Sequence, residues 1–156
     1  PSNSSNIILF TSCSKEKPYS NSKTVKAIQD VINKQKCPEK VEVIIISGMY
    51  GPVPLDHDER NPVKRYDYKL DESNKKRMNL LKKRIIKFIE KYDSDSYDFV
   101  AYLTSKPYRL VTQDVKKEIG KLEILPQDPN NRTVREFHKN KNLTQLEKWL
   151  EKELEG

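Results

Sequence analysis

A chain of 156 residues with 34 % charged side chains, a net charge of +7 and a pI near 9.3 is sized for about one domain. It contains no apolar run near the ~18 residues of a membrane span, and polar Pro1–Asn6 lacks the charged and apolar regions of a signal peptide, so a membrane partner is not expected. Two cysteines, Cys13 and Cys37, exclude a disulfide scaffold; there is no Cys-x-x-Cys pair, and His57 and His138 stand far apart, so no metal and no cofactor is implied and a reduced, cytoplasmic setting is expected.

Taken in chain order, the first element is a strand at Asn6–Ser12, an unbroken apolar run that suits a strand covered on both faces. A helix follows at Ser22–Gln35, with Val25, Ile28, Val31 and Ile32 at helical spacing. Val41–Ser47 reads as a second buried strand. Glu72–Tyr92 reads as a long helix with Met78, Leu81, Ile85, Phe88 and Ile89 on one face, capped by Asp71 or Ser73. A third strand is expected at Asp98–Thr104, a helix at Pro107–Ile119, a fourth strand at Lys121–Leu125 and a closing helix at Leu143–Leu154. His138 and Trp149 read as structural.

The alternation predicts one α/β domain over residues 1–156. Its fold is a three-layer sandwich with a mainly parallel sheet of about four strands and helices on both faces. The connection from Gly48 to Leu70 is long against the roughly 2–6 residues usual for such loops, a length found in functional or disordered segments, and Tyr50, Tyr66 and Tyr68 within it weigh against disorder. A first residue of Pro1 in place of Met suits a processed or partial chain.

In open α/β sheets ligands bind beyond the carboxyl ends of the strands. The chemically unusual residues fall there. Cys13 follows the first strand with Lys15 and Lys17 close behind, and neighbouring ammonium groups favour a thiolate. An inert structural thiol is the bland alternative. Pro18 biases Lys17 to an extended conformation. Tyr19 adds a phenol, and Ser22 suits either a ligand contact or a helix cap. After the second strand, Gly48 and Gly51 bracket Met49 and Tyr50; they allow close approach of a ligand or simply a tight turn. Glu59 and Asp67 can hold an amine or pair with surface lysines. Tyr66 can stack on a base or pack in the core. The basic excess suits a nucleic-acid partner and equally a Lys- and Glu-rich solvated surface.

These segments carry a resemblance. "SCSKEKPYSNSKT", residues 12–24, resembles the Pro-Cys-x-x-x-Lys-Pro-Tyr-x-x-Ser-x-x-His signature of archaeosine synthase, an archaeal tRNA-modifying enzyme related to tRNA-guanine transglycosylase. "YGPVPLDHDERNPVKRYDYKLDE", residues 50–72, is similar to that family's Val-Pro segment with its acidic residues and Tyr-Asp pair. "FVAYLTSKPYRLV" and the Leu-rich terminal helix follow the same order. Cys13, Lys17, Pro18, Tyr19 and Ser22 match the first motif; Val53, Pro54, Tyr66 and Asp67 match the second. Ser12 stands where the family has proline and Val25 where it has histidine, and valine cannot transfer a proton.

The resemblance implies a tRNA-modifying transferase that adds the amine of free lysine to the nitrile of a 7-cyano-7-deazaguanine base. The matched positions place catalysis on Cys13, Lys17 and Tyr19 and substrate binding on Ser22, Tyr66 and Asp67, to which the residue types themselves add Gly48, Tyr50, Gly51 and Glu59 as substrate-binding candidates. The resemblance also implies a stand-alone or split form that works with a transglycosylase-like partner subunit. Two alternatives stay open: a non-catalytic tRNA- or base-binding module, and a nucleobase- or nucleotide-processing enzyme on the same scaffold.

Overall fold

Ile7, Ile8, Leu9 and Phe10 are each at most 1 % exposed at the heart of β1 (Asn6–Thr11). A strand that apolar must be covered on both sides. The computed structural model, which describes residues 6–12, 23–48, 50–55, 70–103, 105–127 and 140–155, shows how. Among these residues five strands form one sheet, joined by β2 (Val41–Ser47), β3 (Gly51–Pro54), β4 (Tyr97–Tyr102) and β5 (Glu123–Leu125). The sheet order is β3-β2-β1-β4-β5, with every pairing parallel except β2 with β3. Among the described residues four α-helices accompany it: α1 (Lys23–Asn33), α2 (Lys75–Ile89), α3 (Lys106–Ile119) and α4 (Asn140–Glu155).

Strand alternation divides the core in two. Ile7, Leu9, Val43, Ile45, Val100 and Tyr102 pack with residues of α1 and α4, such as Ile28, Ile32, Leu146 and Leu150. Ile8, Phe10, Ile44, Ile46, Phe99 and Ala101 pack with residues of α2 and α3, such as Leu81, Ile85, Val111 and Val115. Burying each large side chain of this kind stabilises the fold by about 1.5–3 kcal/mol. Phe10 lies parallel to Phe99 at a centroid distance of 6.4 Å and meets Phe88 edge-on at 5.8 Å, which docks α2 on the two central strands. Trp149 packs against the first cluster, the structural role expected of it.

The expectation of about four strands is corrected to five. Gly48 and Tyr50 lie in a turn, and beyond it Gly51 stands opposite Ser47 and Pro54 opposite Ile44. Pro52 and Pro54 argue against a strand on sequence, because each lacks a ladder donor. They stand two residues apart, so both missing donors point away from β2, and β3 closes the sheet at its border. The expected cap of α2 also shifts. Asn74 is the cap, its side chain accepting from Arg77 N at 3.2 Å. Asp71 instead closes the preceding turn, accepting from Ser73 N at 2.9 Å and from the Ser73 hydroxyl at 2.8 Å.

Candidate functional site at the carboxyl edge of the sheet

Because β1, β2, β4 and β5 run parallel, their carboxyl ends share one edge. In register, Thr11 lies beside Ile45 on one flank and Tyr102 on the other, and Tyr102 lies beside Leu125. The connection after β1 leads to α1 in one cluster, while the connection after β4 leads to α3 in the other. The chain therefore diverges to opposite faces between β1 and β4, the topological switch point where open α/β sheets form a crevice.

Polar groups concentrate at this edge. Thr11 is fully buried, and its hydroxyl donates to the Tyr102 carbonyl at 3.0 Å, tying the ends of β1 and β4 together. Burial holds the Tyr102 phenol well above its ordinary pKa, so it stays neutral. Arg109, only 9 % exposed, donates from Nη1 to the Leu103 carbonyl at 2.6 Å. It thereby fixes the backbone just past β4, and Leu103 N donates in turn to the Leu125 carbonyl at 2.9 Å. The Thr112 hydroxyl lies 3.0 Å from the carbonyls of both Tyr108 and Arg109, which turns it inward along α3.

The β2–β3 turn supplies the rim. The Ser47 hydroxyl oxygen accepts from Tyr50 N at 3.1 Å, while the Tyr50 side chain stays 43 % exposed. Gly51 has φ +82°, and a Cβ built there would lie 3.0 Å from the Arg84 Cβ. Both facts demand glycine at this position. Across the edge, Lys106 Nζ pairs with the Glu72 carboxylate at 3.4 Å, joining the first turn of α3 to the approach to α2. Beyond β5, Gln127 N donates to Oε1 of Gln145 at 2.7 Å and anchors that segment on α4.

Of the residues expected to act, the structure brings Gly48, Tyr50 and Gly51 to this edge, with Gly48 and Gly51 buried in the turn. Cys13, Lys17, Tyr19, Ser22, Glu59, Tyr66 and Asp67 lie outside the described residues. By chain connectivity, residues 13–22 join the carboxyl end of β1 to α1, and residues 56–69 join β3 to α2. Val25, at the position of the signature histidine, is 1 % exposed within the α1 core cluster. Cys37 is half-buried ahead of the Pro38–Lys40 turn. Among the described residues no group of three or more His, Cys, Asp or Glu is placed to hold a metal. No helix among them is long and apolar enough to cross a membrane.

Sequence reasoning passed over Arg109. The available signal was an arginine in the first turn of an amphipathic helix directly after a core strand, where a surface position was equally consistent with the spacing.

The arrangement defines an α/β protein with buried polar groups gathered at the carboxyl edge of a mostly parallel sheet. The chain belongs to the family DUF5591, described as a domain of unknown function, whose model matches residues 1–150. It is also similar to a solved structure titled "Crystal structure of AF0587, a protein of unknown function", with a TM-score of 0.66 at 20 % identity. That match covers 94 % of this chain and 45 % of the other, so the chain spans about half the length of its structural relative. At this identity the likeness concerns the fold. No curated protein matches the chain.

Proposed function

We propose that this chain is the core domain of an archaeal, cytoplasmic tRNA-modifying enzyme of archaeosine-synthase type, acting alone or with a transglycosylase-like subunit. We read its architecture as a three-layer α/β/α sandwich forming a single domain. One observation carries the reading. The segment bearing the first signature starts where β1 ends, and β2, which leads into the second, is its parallel neighbour and ends on the same edge.

The chemistry follows from the residue types. A nitrile carbon is electrophilic. In a covalent route the Cys13 sulfur bonds to that carbon, and the proton from sulfur reaches the nitrile nitrogen, giving a thioimidate. The free amine of lysine then attacks the same carbon, the C–S bond breaks, and the sulfur recovers a proton from the attacking nitrogen. The product is an amidine, and no group leaves the base. In a direct route the amine adds to the nitrile while Lys17 or Tyr19 supplies the proton to nitrogen. Glu59 and Asp67 are the candidates to hold the lysine ammonium, and Tyr66 and Tyr50 to stack on the base.

The test offers tRNA bearing 7-cyano-7-deazaguanine and free lysine to the chain, with and without a transglycosylase-like partner. The modified nucleoside should gain the mass of one whole lysine. Cys13 should alkylate faster than Cys37 at neutral pH, with an apparent pKa of roughly 7 or lower against ~8.5 for a free thiol, and Lys17→Met should slow it selectively. If Cys13 titrates like an ordinary thiol and Cys13→Ser keeps the activity, the covalent route fails.

A second reading, a non-catalytic tRNA-binding module, is favoured by Val25. The position that carries histidine in the signature is sealed in the core here, with no titratable group. Tight tRNA binding without any mass gain, alone or with the partner, would establish that reading instead.

A further inference from the structure

The excess positive charge of this protein resides in one helix. α2 carries seven Lys and Arg residues, Lys75, Lys76, Arg77, Lys82, Lys83, Arg84 and Lys87, and no Asp or Glu. With those seven set aside, the rest of the chain holds 23 Lys and Arg against 23 Asp and Glu, so the whole net charge of +7 equals that of α2. A merely solvated Lys- and Glu-rich surface would mix the signs along each helix. α4 does so, with Lys148 and Lys152 interleaved with Glu147, Glu151 and Glu153.

The basic residues are also sorted by face. Leu81, Ile85 and Ile89 are buried in the core, and the opposite side presents Lys76, Leu80, Lys83 and Lys87 in one exposed stripe. Lys76 to Lys87 spans about 16 Å along the axis. No carboxylate among the described residues pairs with Lys76, Lys83 or Lys87, whereas Lys82 on the flank is engaged by Glu118 at 2.8 Å. A hollow of about 520 Å³ lies along the stripe, lined by Asn74, Lys76, Arg77, Asn79, Leu80 and Lys83. The leading end of α2 adjoins the candidate site through the Glu72–Lys106 pair.

We infer that the outer face of α2 is an RNA-docking surface that grips the phosphate backbone and leads it toward the carboxyl edge of the sheet. The choice of RNA rests on the proposed tRNA reading; the location of the surface rests on the charge map. A lipid surface is a poorer fit. Membrane-surface helices offer a broad apolar face, and the apolar face of α2 is spent on the core, leaving Leu80, 39 % exposed, as the large apolar side chain on the stripe.

The experiment measures binding of unmodified tRNA across a salt series for three forms of the full chain. These are the wild type, a stripe variant (Lys76→Gln, Lys83→Gln, Lys87→Gln) and a control with the same charge change on the other face of the sheet (Lys26→Gln, Lys148→Gln, Lys152→Gln). Each phosphate contact contributes about 0.7–0.9 to the slope of log affinity against log salt, so the stripe variant should lose about 2–3 of that slope. A fourfold rise in salt should then cost it roughly 20- to 40-fold less affinity than it costs the wild type. The control should keep the wild-type slope. Equal losses in stripe variant and control, or no loss in the stripe variant, would overturn the inference while leaving the tRNA reading intact. Failure of the wild type to bind tRNA, or stripe-dependent binding to anionic vesicles only, would overturn both. Circular dichroism of all three forms checks that these exposed substitutions leave the fold in place.

Discussion

Gly51→Ala tests the geometry of the β2–β3 turn, and with it the shape of the site's rim. Two penalties act on the new methyl group. At φ +82° an L-residue costs about 1–2 kcal/mol relative to glycine. The methyl would also lie 3.0 Å from the Arg84 Cβ, a backbone-proximal atom of a helix that cannot simply swing aside. Overpacking of that kind costs about 1–3 kcal/mol. The reduced freedom of the unfolded chain returns about 0.4–1 kcal/mol. The net loss is about 3 kcal/mol, or about 10 °C in melting temperature for a domain of this size. Urea titration with constant m-value measures it.

Arg84→Gly separates the two penalties, because it removes the clashing carbon and leaves φ untouched. That change alone costs about 1 kcal/mol as a glycine inside a helix. In the Arg84→Gly background Gly51→Ala should cost only about 1 kcal/mol, giving a coupling of about 2 kcal/mol in the double-mutant cycle. A loss below about 0.5 kcal/mol in the wild-type background would refute the turn geometry, as would equal losses in both backgrounds refute the close approach to Arg84.

Two further predictions concern charge. Arg109→Met keeps the apolar stem and removes the donor to the Leu103 carbonyl; a loss of about 1.5–3 kcal/mol is expected in thermal or urea unfolding, and a neutral result would mean that the bond carries no stability. The Glu153 carboxyl is raised above its ordinary range, first by burial and then by Asp98. The folded state therefore holds this proton to higher pH than the unfolded state, so stability falls as pH rises from the ordinary carboxylate pKa through the raised one. Glu153→Gln should raise the melting temperature at pH 7, with the gain vanishing below about pH 4; a gain that persists undiminished into acid would contradict the assignment.

Much of the fold is legible in the sequence because its signals are local. The continuous apolar run Ile7–Phe10 can satisfy itself only between two covering layers, and the helical spacing of Leu81, Ile85 and Ile89 assigns α2 its buried face whatever it packs against. The concentration of Cys13, Lys17, Tyr19 and the Gly48–Asp67 segment after strand ends is likewise visible from order alone. By contrast, β3 was hidden, since Pro52 and Pro54 forbid a strand by local rule and only a border position next to β2 makes them harmless. Arg109 was hidden for a related reason. Nothing local separates a solvated arginine from one whose guanidinium reaches the carbonyl of Leu103, because burial depends on where α3 lands against β4. The meaning of the net charge was hidden too: the composition states +7, but only the placement of α2, one face on the core and the other exposed, turns that number into a surface. Periodicity and composition act between near neighbours in the chain, whereas borders, burial and surface charge are decided by contacts between residues far apart in it, which tertiary packing alone determines.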